Sequence, residues 1–167
     1  AGFADAEYEA VGANISATSQ HVLEQAELTI KVKEPQPDEC VRLSRGQVLF
    51  TYLHLAADRE QALALLASGV TAIAYEAVTA ADGTLPLLTP MSRVAGRMAI
   101  QAGAHHLEKS ASGAGILLGG VPGVSPARVV VLGAGAAGCN AVEMAVGMQA
   151  QIVVIDKSIR RLEDLAE

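Results

Sequence analysis

VVVLGAGAAGCNAVEMAVGMQAQIVVID, residues 129–156, decides the fold. Its β-branched run from Val129 to Leu132 ends in a glycine turn. A helix of small residues follows, and a second apolar run stops at Asp156. Gly133, Gly135 and Gly138 fit G-x-G-x-x-G. That spacing gains meaning from its place after a strand, at the opening of a helix and ahead of an acid at the end of the next strand. Gly133 allows the tight turn out of the strand. Gly135 has no Cβ, so a pyrophosphate can reach the backbone, and Gly138 lets the helix pack close to the sheet. A helix beginning near Ala136 aims unpaired N–H groups and a partial positive charge at the phosphates. Asp156 can accept both ribose hydroxyls. An acid there repels a 2′-phosphate, so the pattern favours NAD over NADP, with Lys157 softening the preference.

Composition narrows the remaining classes. The chain has 167 residues, 51% of them hydrophobic, enough for one or two aliphatic cores. No uninterrupted apolar run approaches the length of a membrane span, and no charged segment followed by an apolar one marks a signal peptide. Cys40 and Cys139 lie far apart without metal-ligand spacing, which fits free thiols in a reducing cytoplasm and predicts no metal site. A net charge of −6 without a basic block argues against nucleic acid as a partner. Aromatics make up 3% and Trp is absent, so a base-stacking platform is not expected. A small molecule is the partner these features allow.

Ahead of residue 110 the pattern alternates strand and helix. Apolar β-type runs are predicted at Leu28–Val32, Val48–Leu53 and Val70–Tyr75. Helices are predicted over Thr18–Ala26, with Ser16 or Thr18 as cap, over Asp38–Leu43, and over Asp58–Ala67 between an Asp58 cap and a Gly69 stop. Such alternation reads as a parallel α/β sheet. PMSRVAGRMAIQAGAHHLEK, Pro90–Lys109, reads as a long helix with Thr89 as N-cap, Pro90 in the first turn and a narrow face of small residues. The glycine-rich stretch that follows is predicted to be a connector. The expected organisation is a substrate domain over 1–110, a connector over 111–126 and the start of a Rossmann domain over 127–167. About six strands complete such a domain, and only two follow residue 126. The opening AGFADAEYEAVGA enters a helical pattern with no strand before it. The expectation is a chain lacking material at both ends.

Four places in the first part carry chemistry-bearing residues. Lys31 and Lys33 share a strand face at its C-terminal end, where α/β proteins bind ligands. A lysine there can hold a carboxylate as a point charge, although a solvated strand end explains the pair equally. His54 follows the next strand and suits proton transfer near neutral pH; a hydrogen-bonded structural histidine is the plainer alternative. Met91 and Ser92 open the long helix. The Ser92 hydroxyl can face an anion or amide and Met91 can pack on a flat ring, or both can belong to an ordinary helix start. His105 and His106 point about 100° apart on a helix and cannot readily share a metal. The helix dipole accounts for them, and no function is assigned.

Taken together and in order, KVKEP, LFTYLHLA, GVTAIAYE, LPLLTPMSRVAGRMA, GILLGGVPGV and the glycine fingerprint resemble the bacterial alanine dehydrogenase family, from about residue 3 to the end. The resemblance implies NAD-dependent oxidative deamination of L-alanine to pyruvate and ammonia, reversibly, by a cytoplasmic homohexamer. It implies Lys33 as the lysine on the substrate carboxylate and His54 as the catalytic histidine. Met91 and Ser92 then stand at the nicotinamide side, and Gly133, Gly135, Ala136, Ala137 and Gly138 form the phosphate loop. Asp156 is the ribose acid, and Arg161 a base near the adenosine end. The same resemblance places the family's N-terminal arginine, catalytic aspartate and later nicotinamide-facing loop outside these residues, so this stretch alone is expected to bind NAD weakly and to turn nothing over. A cleft between two domains is the expected meeting place of substrate and nicotinamide. Two alternatives stand beside it. The related NAD-binding subunit of proton-translocating transhydrogenase lacks a histidine after the corresponding strand, and a non-catalytic NAD-binding or assembly module would bind without turnover.

Overall fold

The computed structural model describes residues 2–166. The chain forms two compact units, Ala1–Ala80 and Ala81–Glu167. The first contains α1 (Asp5–Ala10), α2 (Ser19–Gln25), β1 (Leu28–Ile30), α3 (Pro37–Cys40), β2 (Val48–Thr51), α4 (Arg59–Ser68) and β3 (Thr71–Ala74), ending in a 3-10 turn at Tyr75–Ala77. The second contains α5 (Thr89–Leu107), β4 (Arg128–Leu132), α6 (Ala136–Gly147), β5 (Gln151–Ile155) and α7 (Ile159–Ala166). The α/β class read from the sequence is the class observed.

In the first unit the strands form a parallel sheet in the order β1-β2-β3, with Thr29 beside Leu49 and Leu49 beside Ala72. Thr18 caps α2 by accepting from the His21 N–H. Asp58 caps α4 at Gln61, 3.0 Å, and Gly69 ends that helix in the left-handed region at φ 71°. These caps satisfy amides and carbonyls that a short helix leaves unpaired. Leu23, Cys40, Leu43, Leu49, Leu53 and Leu65 form the core; each fully buried leucine is worth about 1.5–3 kcal/mol. Gln47 joins α2 to the sheet, its buried amide donating to Leu23 O at 2.7 Å and Ala26 O at 2.8 Å.

The strands stop short of their expected ends at Val32, Leu53 and Tyr75, for a reason that bears on the site. Ladder pairing continues through Lys31 N to Phe50 O and Tyr52 N to Val32 O. Side chains then take over: the Thr51 hydroxyl donates to the Val32 and Lys33 carbonyls, and Glu76 accepts the amides of Leu53 and His54. α3 also ends at Cys40, before the expected Leu43.

In the second unit β4 and β5 pair in parallel from Arg128–Gln151 to Leu132–Ile155, joined by α6. The helix start read at Thr89 shifts. Leu85 O already accepts from the Leu88 and Thr89 amides, so Leu88 is the N-cap and Thr89 lies inside the helix. The Thr89 hydroxyl donates back to Leu85 O instead of capping. Ser92, Gly96, Ile100, Ala104 and Leu107 recur every three or four residues as the covered stripe of α5. Its buried part joins Leu118, Ala141 and Ala145 in a second core. This packing groups α5 with α6 in the second unit, Ala81–Glu167. The glycine-rich stretch after α5 packs inward through buried Leu118.

Candidate functional site

The C-terminal ends of the three parallel strands in the first unit gather Lys33, Glu34, His54 and Glu76. Lys31 and Lys33, alike in the sequence, separate. Lys31 is half-buried and ion-paired with Glu39, whose carboxylate also accepts from the Gln36 amide at the start of α3. The Lys33 side chain is 76% exposed and lies 3.4 Å from the Glu34 carboxylate. Thr51 fixes the backbone beneath it, with its hydroxyl 2.9 Å from Lys33 O. The Glu34 carboxyl is held below the ordinary 4.5 chiefly by its own backbone N–H; Lys33 and then His54 reinforce this against a burial penalty.

His54 occupies the left-handed region at φ 48°, which costs a non-glycine residue roughly 1–2 kcal/mol. Glu76 holds it there. One carboxylate oxygen accepts the His54 amide at 2.7 Å, and both oxygens lie within 3.2 Å of the Leu53 amide. Gln61 closes the turn from the other side, donating to Leu53 O at 2.9 Å. Burial pushes the Glu76 carboxyl up, but the amides of His54, Glu76 itself and Leu53 outweigh it and leave it below 4.5. The imidazole is exposed and stacks on Tyr52, with rings 5.8 Å apart and 7° from parallel. Tyr52 is itself buried edge-on against Tyr75 at 5.0 Å. An exposed imidazole on a fixed turn can exchange a proton with a small molecule.

Among residues of the second unit, the glycine turn joins β4 to α6. Gly133 has φ 99°, which favours glycine. Gly138 is required by a contact tighter than the sequence implied. A Cβ there would lie 1.8 Å from Gly133 O, in the turn itself, and 3.4 Å from the Val131 side chain on β4. Gly135 differs from both. Its φ is −83° and a Cβ would meet nothing within 4 Å, so nothing in the chain requires glycine at this position. Open space over a helix start that no side chain caps fits a phosphate group on the amides of Ala136 and Ala137.

Asp156 directly follows β5, with its side chain only 5% exposed. It accepts from the Ala134 amide at 2.6 Å and from the Ser158 amide at 2.7 Å, so the acid also braces the glycine turn. Those two amides hold its carboxyl below the ordinary 3.8, with help from Arg161 and Lys157 against partial burial. Arg161 Nη1 lies 3.9 Å from the Asp156 carboxylate. Ser92 is half-buried one turn ahead of Gly96 on the covered face of α5, while Met91 is exposed. Gly96 itself touches the start of α6: a Cβ there would fall 2.1 Å from Ala137 O. Ser92 thus lies one turn from the contact between α5 and the start of α6.

Glu76, Arg97 and Asn140 carry parts of this arrangement that the sequence reading does not single out. Glu76 stands just past a strand end, the signal that exposed Lys33 and Asp156, and was legible on that ground. Arg97 and Asn140 meet only through folding and carry no local signal. Cys40 and Cys139 are free. Among the described residues no helix is long and apolar enough to cross a membrane, and no cluster of three or more His, Cys, Asp or Glu could hold a metal.

These features define an α/β protein of two units, each built on parallel strands, with polar groups gathered where strands end and helices begin. The chain belongs to the alanine dehydrogenase/PNT family: residues 1–95 match "Alanine dehydrogenase/PNT, N-terminal domain" and residues 99–167 match "Alanine dehydrogenase/PNT, C-terminal domain". It is 61% identical to an alanine dehydrogenase of Halomonas elongata over 99% of its length, and spans 44% of that relative. A solved L-alanine dehydrogenase superposes with TM-score 0.84 at 49% identity, over 98% of this chain and 45% of its own. A transhydrogenase from Sinorhizobium meliloti superposes with TM-score 0.73 at 25% identity, over 98% and 48%.

Proposed function

We propose that the protein carrying this chain is an NAD-dependent L-alanine dehydrogenase, with substrate bound by the first unit and cofactor by the start of a Rossmann domain in the second. The observation that carries this reading is that neighbouring strands end in an exposed Lys33 and in a His54 fixed on its turn by Glu76, in a chain 61% identical to an alanine dehydrogenase. His54 also favours this activity over that of the transhydrogenase relative. A cytoplasmic homohexamer is the assembly and location that follow from the family.

Bound NAD supplies the hydride acceptor for the Cα hydrogen of alanine. Gly133, Gly135, Ala136, Ala137 and Gly138 would hold its pyrophosphate, Asp156 its adenosine ribose, Met91 and Ser92 its nicotinamide side, and Arg161 the adenosine end. Lys33 holds the substrate carboxylate as a point charge. Once the substrate ammonium has given one proton to solvent, loss of hydride leaves an iminium, to which water adds. His54 takes a proton from that water and returns it to the nitrogen; the carbinolamine hydroxyl then gives up its proton as the C–N bond breaks, so that pyruvate and ammonium leave. Proton transfer of this kind contributes about 10²–10⁴-fold, and the orientation set by Lys33 adds to it.

The test is alanine-dependent formation of NADH by the intact protein that carries these residues, beside its His54→Ala variant. Turnover that falls by about 10²–10⁴-fold in the variant, with NADH affinity kept, supports the reading. NADH binding without any alanine oxidation would replace it with a non-catalytic binding module.

A further inference from the structure

We propose that Arg97 and Asn140 are positioning residues for the nucleotide site, locking the end of α5 that bears Met91 and Ser92 onto the phosphate-facing start of α6. The proposal rests on the dinucleotide reading of the second unit and adds residues that touch neither substrate nor cofactor in that reading.

Three observations converge. The two helix backbones meet at Gly96 and Ala137 with no room for a Cβ. Such a contact fixes the separation of the helices, yet leaves them free to slide along each other. Arg97, the next residue, removes that freedom: its Nε donates to Asn140 Oδ1 at 3.0 Å and its Nη2 to Glu143 at 2.7 Å. Asn140 is buried, and its own amide donates to Ala136 O at 2.9 Å. Ala136 is the first residue of α6 and forms part of the candidate phosphate loop. A continuous chain of hydrogen bonds thus runs from α5 through Asn140 to the loop. Ser92 lies on the same face of α5, one turn before Gly96.

Position matters here because phosphate binding by backbone amides depends on where the helix start lies. A displacement near 1 Å in such a site can cost about 100-fold. The Glu143 contact is between exposed groups and contributes little by itself. The Asn140 contact is partly buried and its acceptor belongs to a buried side chain, so breaking it leaves a polar group unpaired.

The experiment uses the intact protein with Asn140→Leu, Arg97→Met and the double variant. It measures the NADH dissociation constant, the alanine KM at saturating NAD and the thermal midpoint. The expected result is an approximately tenfold weaker NADH affinity in each single variant, no further loss in the double, and an alanine KM within about twofold of wild type. The non-additive loss is what a shared chain of bonds requires. If Asn140→Leu fails to fold, Arg97→Met at the exposed end and Asn140→Asp, which keeps the acceptor for Arg97, carry the test. Asn140→Asp is then expected to bind NADH better than Arg97→Met does. Unchanged NADH affinity with a lowered thermal midpoint would overturn the proposal, because the residues would then be structural only. Absence of NADH binding in wild type would instead refute the dinucleotide reading.

Discussion

Replacing Gly96 by alanine sets two effects of known sign against each other. In a helix interior, alanine is favoured over glycine by about 0.8–1.0 kcal/mol. At this position the new Cβ would lie 2.1 Å from Ala137 O, and ordinary contact begins near 3.4 Å. The backbones of α5 and α6 must therefore part by more than an ångström, which strains or breaks the Arg97–Asn140 hydrogen bond at 3.0 Å. Overpacking costs typically about 1–3 kcal/mol, and loss of the bond adds about 1 kcal/mol. The net expectation is destabilisation of about 1–3 kcal/mol after the propensity gain is subtracted. Gly147, at the end of α6, is the control: a Cβ there meets nothing within 4 Å, so alanine is expected to be neutral or to stabilise by up to about 1 kcal/mol. Urea unfolding of the intact protein and both variants reads the difference directly, as a shift in midpoint at constant slope. Equal stability of the two variants would refute the packing described for α5 and α6.

Other consequences follow from the first unit. Lys33→Met should raise the alanine KM by roughly 10–100-fold, the value of a charge-assisted contact, with NADH affinity unchanged; steady-state kinetics in both substrates would show it. The acid limb of stability should report on Glu76. Its carboxyl is held below the ordinary 4.5 in the fold, so the unfolded chain binds more protons as pH falls. The contribution is fully present above the unfolded value and is lost as pH drops through the lower folded one. Asp156 behaves alike, starting from 3.8. In Glu76→Gln, unfolding free energy measured from pH 6 downward should decline less steeply below about pH 4.5 than in wild type.

Local signals made much of this molecule legible. Asp58 and Gly69 bracket a helix because one residue can cap and the other can adopt a positive φ, and both properties are visible in the letters. The glycine turn was readable for the same reason, as was the parallel sheet implied by alternating strands and helices. Strand ends were read too long because apolar residues run on past the point where Thr51 and Glu76 take over the backbone bonds. Those partners lie about 20 residues away in sequence, beyond any local window. Thr89 was read as a cap because it precedes a proline, but a turn anchored on Leu85 O starts the helix one residue earlier. The narrow face of small residues on α5 is visible in the letters, while its partner, the start of α6, is met only in the fold. Lys31 and Lys33 share a face and a residue type. The position of Glu39 separates the half-buried lysine from the exposed one.

Gly135 offers the most direct test of the central claim, that a dinucleotide lies on the turn between β4 and α6. Nothing in the chain crowds a Cβ there and its φ is ordinary, so Gly135→Ala should change stability by less than about 1 kcal/mol, the usual cost of a weaker N-cap. A pyrophosphate against that backbone has no space for the methyl group. NADH titration of the intact protein and the variant should therefore show affinity reduced by about 100-fold while the fold remains intact. Undiminished NADH affinity in Gly135→Ala would contradict the account.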